Sequence, residues 1–449
     1  MKCTAVKMGI NGEGIGYLDR KPVFIDQLLP SETALIEITE QTPRYSRARV
    51  VRRLTDSADR ITPPCPLQPR CGGCPLMILT YRQQLRMKRR LVQEALRKYA
   101  GVMEEQVAPV IASSQQLGYR NQCKLPVRQQ QGRLVSGLYE EGSQRFLPVS
   151  HCLIHDPQVE AMRHRILTIL SEEGMTAFDA RTARGLRTLV VRGFDGHFQA
   201  ALVTGRQTIA SRVTDRLKTV SGLDCVMQNI HPDRRSRQLF SSEWKTLIGE
   251  DRLPVSLGSI QLRLSCASFF QLNRPQALRM IELATSWLDP CQTLVEAYCG
   301  VGGISLMMKD KAKQIIGIEN SREAVANAME NARLNGADNV KFLCGDAASM
   351  MKRLIRRQQI DALIVDPPRT GLDDAMIQSI QTCLPRQIVY ISCNPATLGK
   401  NLKVLQKQYR IEKIQPFDLF PNTPHVETAV LLSHKSPDSV INVKVEFGE

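Results

Sequence analysis

Six short apolar runs in the last third of the chain, at 293–297, 314–319, 340–343, 362–366, 388–392 and 428–432, alternate with stretches of helical character. Runs of this length read as buried strands, and strands that alternate with helices specify a doubly wound sheet with a largely parallel core. That arrangement limits where chemistry can occur, because ligands in open α/β sheets collect beyond the carboxyl ends of the strands. The polar breaks after these runs are therefore the places to look. Cys299-Gly300-Val301-Gly302-Gly303 follows the first run and opens a helix, where glycines let backbone approach a ligand. Glu319 ends the second run, where a carboxylate is placed to take both hydroxyls of a ribose, an arrangement that suits NAD and S-adenosylmethionine equally. Asp346 follows the third run at a position useful for contacting adenine. Asp366-Pro367-Pro368-Arg369-Thr370-Gly371 ends the fourth, its prolines stiffening the loop while Asp366 projects into the crevice. The fifth run breaks at Cys393-Asn394-Pro395, which sets a thiol at a strand end. A free cysteine is most often a small buried hydrophobe; the neighbouring strand-end motifs make this one a candidate nucleophile.

A chain of 449 residues exceeds one ordinary core, so two or three domains are expected. The first 60 residues alternate in short β-like pieces broken by glycine turns, the pattern of a small antiparallel barrel. Its tail carries Arg44, Arg47, Arg49, Arg52 and Arg53, either a solvated face or an RNA-contacting one. Cys65, Cys71 and Cys74 then fall within ten residues, a spacing that suits a metal or cluster site whose fourth ligand is Cys152 or, less well placed, Cys123. Zinc and a [4Fe–4S] cluster both accept four cysteines. Residues 81–100 read as a basic amphipathic helix with Leu85, Leu91, Val92, Leu96 and Tyr99 inward and Lys88, Arg89, Arg90, Arg97 and Lys98 on or beside the other face. From about 118 to 254 the text is strand-like, with a helix near 157–171 and no catalytic constellation. Lys and Arg total 60 against 44 acidic residues, a net charge of +16 that favours a polyanionic partner. Thirteen cysteines in a chain with no membrane-length apolar stretch and no apolar signal segment argue for a cytoplasmic protein whose thiols serve metal, catalysis or burial.

Phe270-Gln271-Leu272-Asn273, the CGVGG turn, Glu319, DPPRTG, SCNP and Phe420-Pro421-Asn422-Thr423-Pro424-His425-Val426-Glu427 occur in an order that resembles the S-adenosylmethionine-dependent RNA uracil C5-methyltransferases. GxGIGYLD followed by VFIDQLLPSETALIEI is similar to the TRAM domain, so the likeness spans nearly the whole chain. It is greatest to the branch acting on 23S ribosomal RNA, whose members carry a [4Fe–4S] cluster on four such cysteines. The resemblance implies a multidomain α/β and β fold. An N-terminal TRAM (OB-like) barrel would occupy 1–60, a central α+β RNA-binding domain 61–80 and 119–255, and a Rossmann-like class I methyltransferase domain 81–118 and 256–449. It implies Cys393 as nucleophile toward uracil C6, Glu427 as general base with His425 assisting, and Phe270 packed against the target base or its neighbours. Cofactor contacts would come from Gln271, Tyr298, Gly300, Gly303, Glu319, Asp346 and Asp366, and cluster ligation from Cys65, Cys71, Cys74 and Cys152. Two positions depart from the family pattern: Glu296 stands where Asp is usual, and Gly303 where a small polar residue is common. The expected partner is 23S ribosomal RNA, with no DNA and no membrane, and the expected state is a monomer. The rival readings are the same chemistry on the T-loop uridine of tRNA, a non-catalytic RNA-binding protein that keeps the fold, and an amino-methyltransferase working through the DPP loop. Radical methylthiotransferases also carry TRAM domains, but the Cys-x3-Cys-x2-Cys triad they need is absent.

Overall fold

The six apolar runs all become strands of one seven-stranded sheet: β1 (Cys291–Ala297), β2 (Ala312–Glu319), β3 (Val340–Cys344), β4 (Ala362–Val365), β5 (Gln387–Ser392), β6 (Tyr409–Phe417) and β7 (Glu427–His434). The order is β3-β2-β1-β4-β5-β7-β6, with β1 to β5 parallel and β7 antiparallel between β5 and β6. The chain runs outward from β1 through β2 to β3 and then crosses back to place β4 on the other side of β1, which makes the switch point at which such sheets open a crevice. The strand that has no counterpart among the apolar runs is β6, whose sequence YRIEKIQPF alternates apolar with charged residues and lies at the sheet edge. This computed structural model describes residues 1–233, 235–236 and 238–435; the last part of the expected catalytic domain, 436–449, lies outside the described residues.

Helix α1 (Tyr81–Ala100) is built onto the same sheet. It packs against α2 (Pro395–Leu405), and Val107 and Ile111 beyond it form parallel bridges to Ile414 and Phe417 of β6. The two helices touch at Gly399, where a Cβ would stand 3.0 Å from the Tyr99 Cβ and 3.2 Å from the Ala95 carbonyl oxygen. The expected solvated side of α1 needs one correction: Lys88 is fully buried, its ammonium on the Asp418 carboxylate. In the first turns of α1, polar partners select the inner face and override apolar periodicity.

The central domain is a seven-stranded mixed sheet running Trp244–Ile248, Leu223–Ile230, His197–Thr204, Leu186–Phe194, Gln122–Gln130, Arg133–Tyr139 and Phe146–Pro148, covered on one face by helices Pro157–Glu172 and Ser211–Lys218. A hairpin, Leu253–Leu257 with Ile260–Leu264, joins it to the catalytic core. Asn327, Asn331 and Asn335, spaced one turn apart on one helix face, accept from the backbone N–H groups of Ser265, Arg263 and Gln261. The six N-terminal strands curl around Cys3, Ala5, Val23, Ile25, Leu28, Ala34, Ile36 and Ala48. On this barrel Arg49 pairs with Glu37, Arg47 with Glu40 and Arg53 with Asp56, so much of the basic tail is balanced by its own barrel.

Replacing Gly399 by leucine is expected to wedge α1 away from α2 and cost about 1–3 kcal/mol of stability. Urea unfolding of the variant checks this, and an unchanged midpoint would contradict the close packing.

Candidate active site

The turn after β1 bends sharply. Tyr298, Gly300 and Gly302 have φ of 67, 54 and 84°, all left-handed. At Gly302 a Cβ would meet Phe342 Cζ at 2.5 Å, so glycine is required twice over, by φ and by space. Tyr298 holds the same conformation with a side chain, which costs on the order of 1–3 kcal/mol and is the kind of strain that gathers at ligand sites. The cavity beside the turn is lined by Gln271, Tyr298, Gly300, Gly303 and Asp366, with Phe269 and Phe270 at its side. Glu319 is fixed next to it, Oε2 accepting from Gly300 N at 3.2 Å and Oε1 from Ser321 N at 2.9 Å. Asp346 sits at the end of β3 but outside the cavity lining, capping helix Ala347–Ile355 by accepting from Ser349 N at 2.9 Å. Glu296 turns to the start of helix Gly303–Met307, where its carboxyl accepts from the Ser305 N–H at 2.7 Å and from the Ser305 hydroxyl. Burial pushes Glu296 up to about 8, so it is largely protonated at neutral pH.

The register of β5 against β7 assembles the other end of the site. Ser392 pairs with Thr428 in antiparallel fashion, so the next residues outward, Cys393 and Glu427, face each other across the strand ends. Loop 366–371 is stitched to the cysteine loop by the Arg369 carbonyl, which accepts from Asn394 Nδ2 at 3.0 Å and Thr397 Oγ1 at 3.3 Å. Burial pushes Asp366 up to about 7. Glu427 is pushed up to about 8, first by burial and then by Asp366, against the pull of Arg369 and Lys88. The Cys393 thiol rises to about 11 through burial, Glu427 and Asp366, with Arg369 opposing. His425 falls to about 4 through burial and the cations Arg369, Lys88 and Arg120, and the Arg369 guanidinium lies 3.3 Å from its Nε2. At neutral pH the pocket holds a thiol, a neutral imidazole, an Asp366 carboxyl near half-ionisation and a Glu427 carboxyl that is largely protonated. Such a set can deliver a nucleophile and then accept a proton without a buried excess of charge.

A second cavity, of about 340 Å³, is lined by Cys65, Cys71, Cys74 and Cys152 together with Gln68, Arg120, Lys124 and Phe269. Cys123 does not line it and is packed in the central core. Gln68 is 2% exposed, and neither its amide nitrogen nor its oxygen has a partner. Among the described residues the only group of three or more His, Cys, Asp or Glu side chains whose potential ligand atoms all lie within 4.8 Å of one another is Cys225, Asp251 and Cys266, which the sequence motifs do not single out. Cys225 and Cys266 belong to an apolar cluster with Val190, Ala201 and Met227. The four cavity cysteines therefore do not gather as tightly as donors placed about 2.3 Å from one zinc.

The aromatic pair Phe269-Phe270 lies between the two cavities. Phe270 is buried, edge-on to Phe194 at 5.5 Å, while its neighbour Phe269 is 71% exposed, and both rings line both cavities. Nothing in the dipeptide says which ring is the more buried.

The sheet order, the glycine turn with its acid at the end of β2, and the strand-end cysteine define a class I methyltransferase fold. The family model described as tRNA (Uracil-5-)-methyltransferase matches residues 80–435, and that of the TRAM domain matches 5–51. An uncharacterized RNA methyltransferase of Bacillus anthracis is 33% identical over 442 residues, and one of Halalkalibacterium halodurans 34% over 448, each match covering 96% of both chains. The structure of Pyrococcus abyssi tRNA (uracil-54, C5)-methyltransferase in complex with S-adenosyl-L-homocysteine shares the fold, with a TM-score of 0.76 at 22% identity over 96% of this chain and 100% of that one. The chain belongs to the S-adenosylmethionine-dependent RNA uracil-C5 methyltransferase family, with a TRAM domain at its N-terminus. Its substrate is RNA and its methyl donor S-adenosylmethionine.

Glu296→Gln isolates the buried acid. With a folded pKa of about 8 against about 4.3 unfolded, the native protein loses stability as pH rises between these values, and the neutral amide does not. The variant should gain about 1–3 kcal/mol on the native protein by pH 7 and nothing at pH 4, read from urea unfolding at both pH values.

Proposed function

We propose that this enzyme methylates C5 of a uridine in 23S ribosomal RNA through a covalent intermediate on Cys393. The observation that carries the chemistry is the placement of Cys393 opposite Glu427 by the β5–β7 register. Uracil C5 is a weak nucleophile until electron density is pushed in from C6. In this reading the Cys393 thiol gives its proton to water, its sulfur bonds to C6, and the C5–C6 π pair moves toward the C4 carbonyl as an enolate. S-adenosylmethionine, when bound, would supply an electrophilic methyl to the C5 electron pair, its S–CH3 bond breaking to leave the neutral thioether S-adenosylhomocysteine. Glu427 then accepts the C5 proton, the C5=C6 bond reforms and the Cys393 thiolate leaves. Asp366 and Gln271, which line the donor cavity, hold base and donor in line, and His425, neutral beside Arg369, orients Glu427. Gly300 and Glu319 would hold the donor's polar groups at the glycine turn, and Asp346 would border its adenine. The target base must leave its stack to reach Cys393, and the exposed Phe269 offers it a face to pack against.

The choice of ribosomal RNA rests on the cysteine quartet. We read Cys65, Cys71, Cys74 and Cys152 as ligands of a [4Fe–4S] cluster. Support comes from their convergence on one cavity, a spacing wider than one zinc requires, and the unpartnered Gln68 amide on the same wall, which can donate to a sulfide. Such a cluster would staple 65–74 to 152 and so brace the central domain. The T-loop uridine of tRNA is the second reading, favoured by the description of the matched family and by the tRNA substrate of the Pyrococcus abyssi relative.

Two experiments bear on this. With the donor and 23S or tRNA transcripts, Cys393→Ala should lose both turnover and any RNA adduct stable in denaturing gels, while Glu427→Gln should accumulate an adduct that does not resolve. Normal turnover by Cys393→Ala would end the covalent reading, and adducts with tRNA alone would transfer it to that substrate. Protein purified without oxygen should contain iron and sulfide and show visible absorption that Cys152→Ser abolishes; stoichiometric zinc without iron would contradict the cluster.

A further inference from the structure

Helix α1 turns an unexpectedly polar face inward. Tyr81, Gln84 and Lys88 fall at i, i+3 and i+7, on one side of the helix. Gln84 is 2% exposed and Lys88 0%. All three reach the 418–422 stretch that leads from β6 to β7. Lys88 Nζ donates to Asp418 Oδ1 and, at 3.0 Å, to the Phe420 carbonyl. Tyr81 Oη donates to Asp418 Oδ2 at 2.9 Å. Gln84 Oε1 accepts from Asn422 N at 2.9 Å, and its Nε2 donates to Asn422 Oδ1 at 3.2 Å. The stretch so gripped continues directly into His425 and Glu427.

A buried ion pair is weak evidence for stability, since apolar residues of similar volume often do as well. The location of this one suggests another use. The charged groups that act on Glu427 are Asp366 and Arg369 from the β4 loop and Lys88 from α1, with the Cys393 thiol facing it from the β5 loop. Asp366 opposes ionisation of Glu427, while Arg369 and Lys88 favour it. Lys88 is paired with Asp418, and its charge acts on Glu427 and His425. Burial lowers Lys88, and the Asp418 carboxylate works to keep the proton on it.

Resting on the reading of Glu427 as the base, we propose that Lys88 is a positioning residue for it: anchored on Asp418, Lys88 fixes the loop that carries His425 and Glu427 and supplies the positive charge that keeps Glu427 ready to accept the C5 proton. The residue lies more than three hundred positions from Glu427 in the chain and acts without touching RNA or methyl donor.

The test uses two double variants, Lys88→Gln/Asp418→Asn and Lys88→Met/Asp418→Leu, neither of which leaves a lone buried charge. Adduct formation and adduct breakdown are followed by rapid quench across pH, with whichever RNA the native enzyme modifies. Losing a cation raises the pKa of a neighbouring acid, so less Glu427 is ionised at a given pH. The expected result is adduct formation at the native rate, breakdown about tenfold slower near neutral pH, and a rising limb of breakdown displaced upward by about one pH unit. Tyr81→Phe, which keeps both charges, should leave that limb in place. A limb at its native position in either folded double variant would overturn the proposal. So would equal slowing of both steps, or failure of both variants to fold, since each would make the pair purely structural. Adduct breakdown at the native rate in Glu427→Gln would instead remove the base assignment itself, a separate result.

Discussion

Antiparallel pairing of β7 with β5 is the constraint on which the site depends. Were β7 to slip by one residue, Glu427 would leave the end of β5 and every side chain of β7 would exchange faces. The strand is buried on both faces from Glu427 to Leu432, which makes such a slip prohibitive. Its partner β6 fixes it from the other side, with Phe417 opposite Glu427. The 81–111 segment in turn supports β6 from the outer edge. A thiol and a carboxyl 34 positions apart in the chain are thus held together by paired strands of the central sheet.

The second theme is neutrality by burial. Taking carboxyls and a thiol out of water raises all of their pKa values, and doing so in one pocket raises them further because each disfavours the next ionisation. Arg369 and Lys88 keep this from going too far. The result is a pocket without a standing excess of negative charge that the phosphate backbone of an incoming RNA would oppose. The same logic explains the tolerance of Glu296 where the family pattern has Asp: the longer carboxyl is satisfied by Ser305 and is largely protonated, so it adds no charge beneath the donor cavity.

The doubly wound sheet was legible because its core strands are continuous apolar runs, and the strand-end motifs were legible because chemistry in this fold sits at strand ends. What was hidden had physical reasons. Strand β6 carries charges on an edge and so lacks the apolar run. Lys88 was read as surface because a buried lysine is recognisable only by its partner, and Asp418 is 330 residues away. Phe269 and Phe270 are interchangeable in sequence, and only the Phe194 ring opposite one of them decides which is buried. The acidic partners of the barrel arginines were hidden because they lie on a neighbouring strand or beyond the run. Cys152 was already the better-placed candidate in the sequence, and the structure sets it on the cavity wall while Cys123 packs in the central core.

The most direct measurement is tritium release from ribosomal RNA transcripts labelled at uridine C5, run alongside methyl incorporation from S-adenosylmethionine. Substitution at C5 through the Cys393 adduct and the Glu427 base requires one tritium freed to water for each methyl gained. Equal yields of the two would establish the account at its centre. Methyl incorporation with tritium retained would place the methyl on another atom and contradict it.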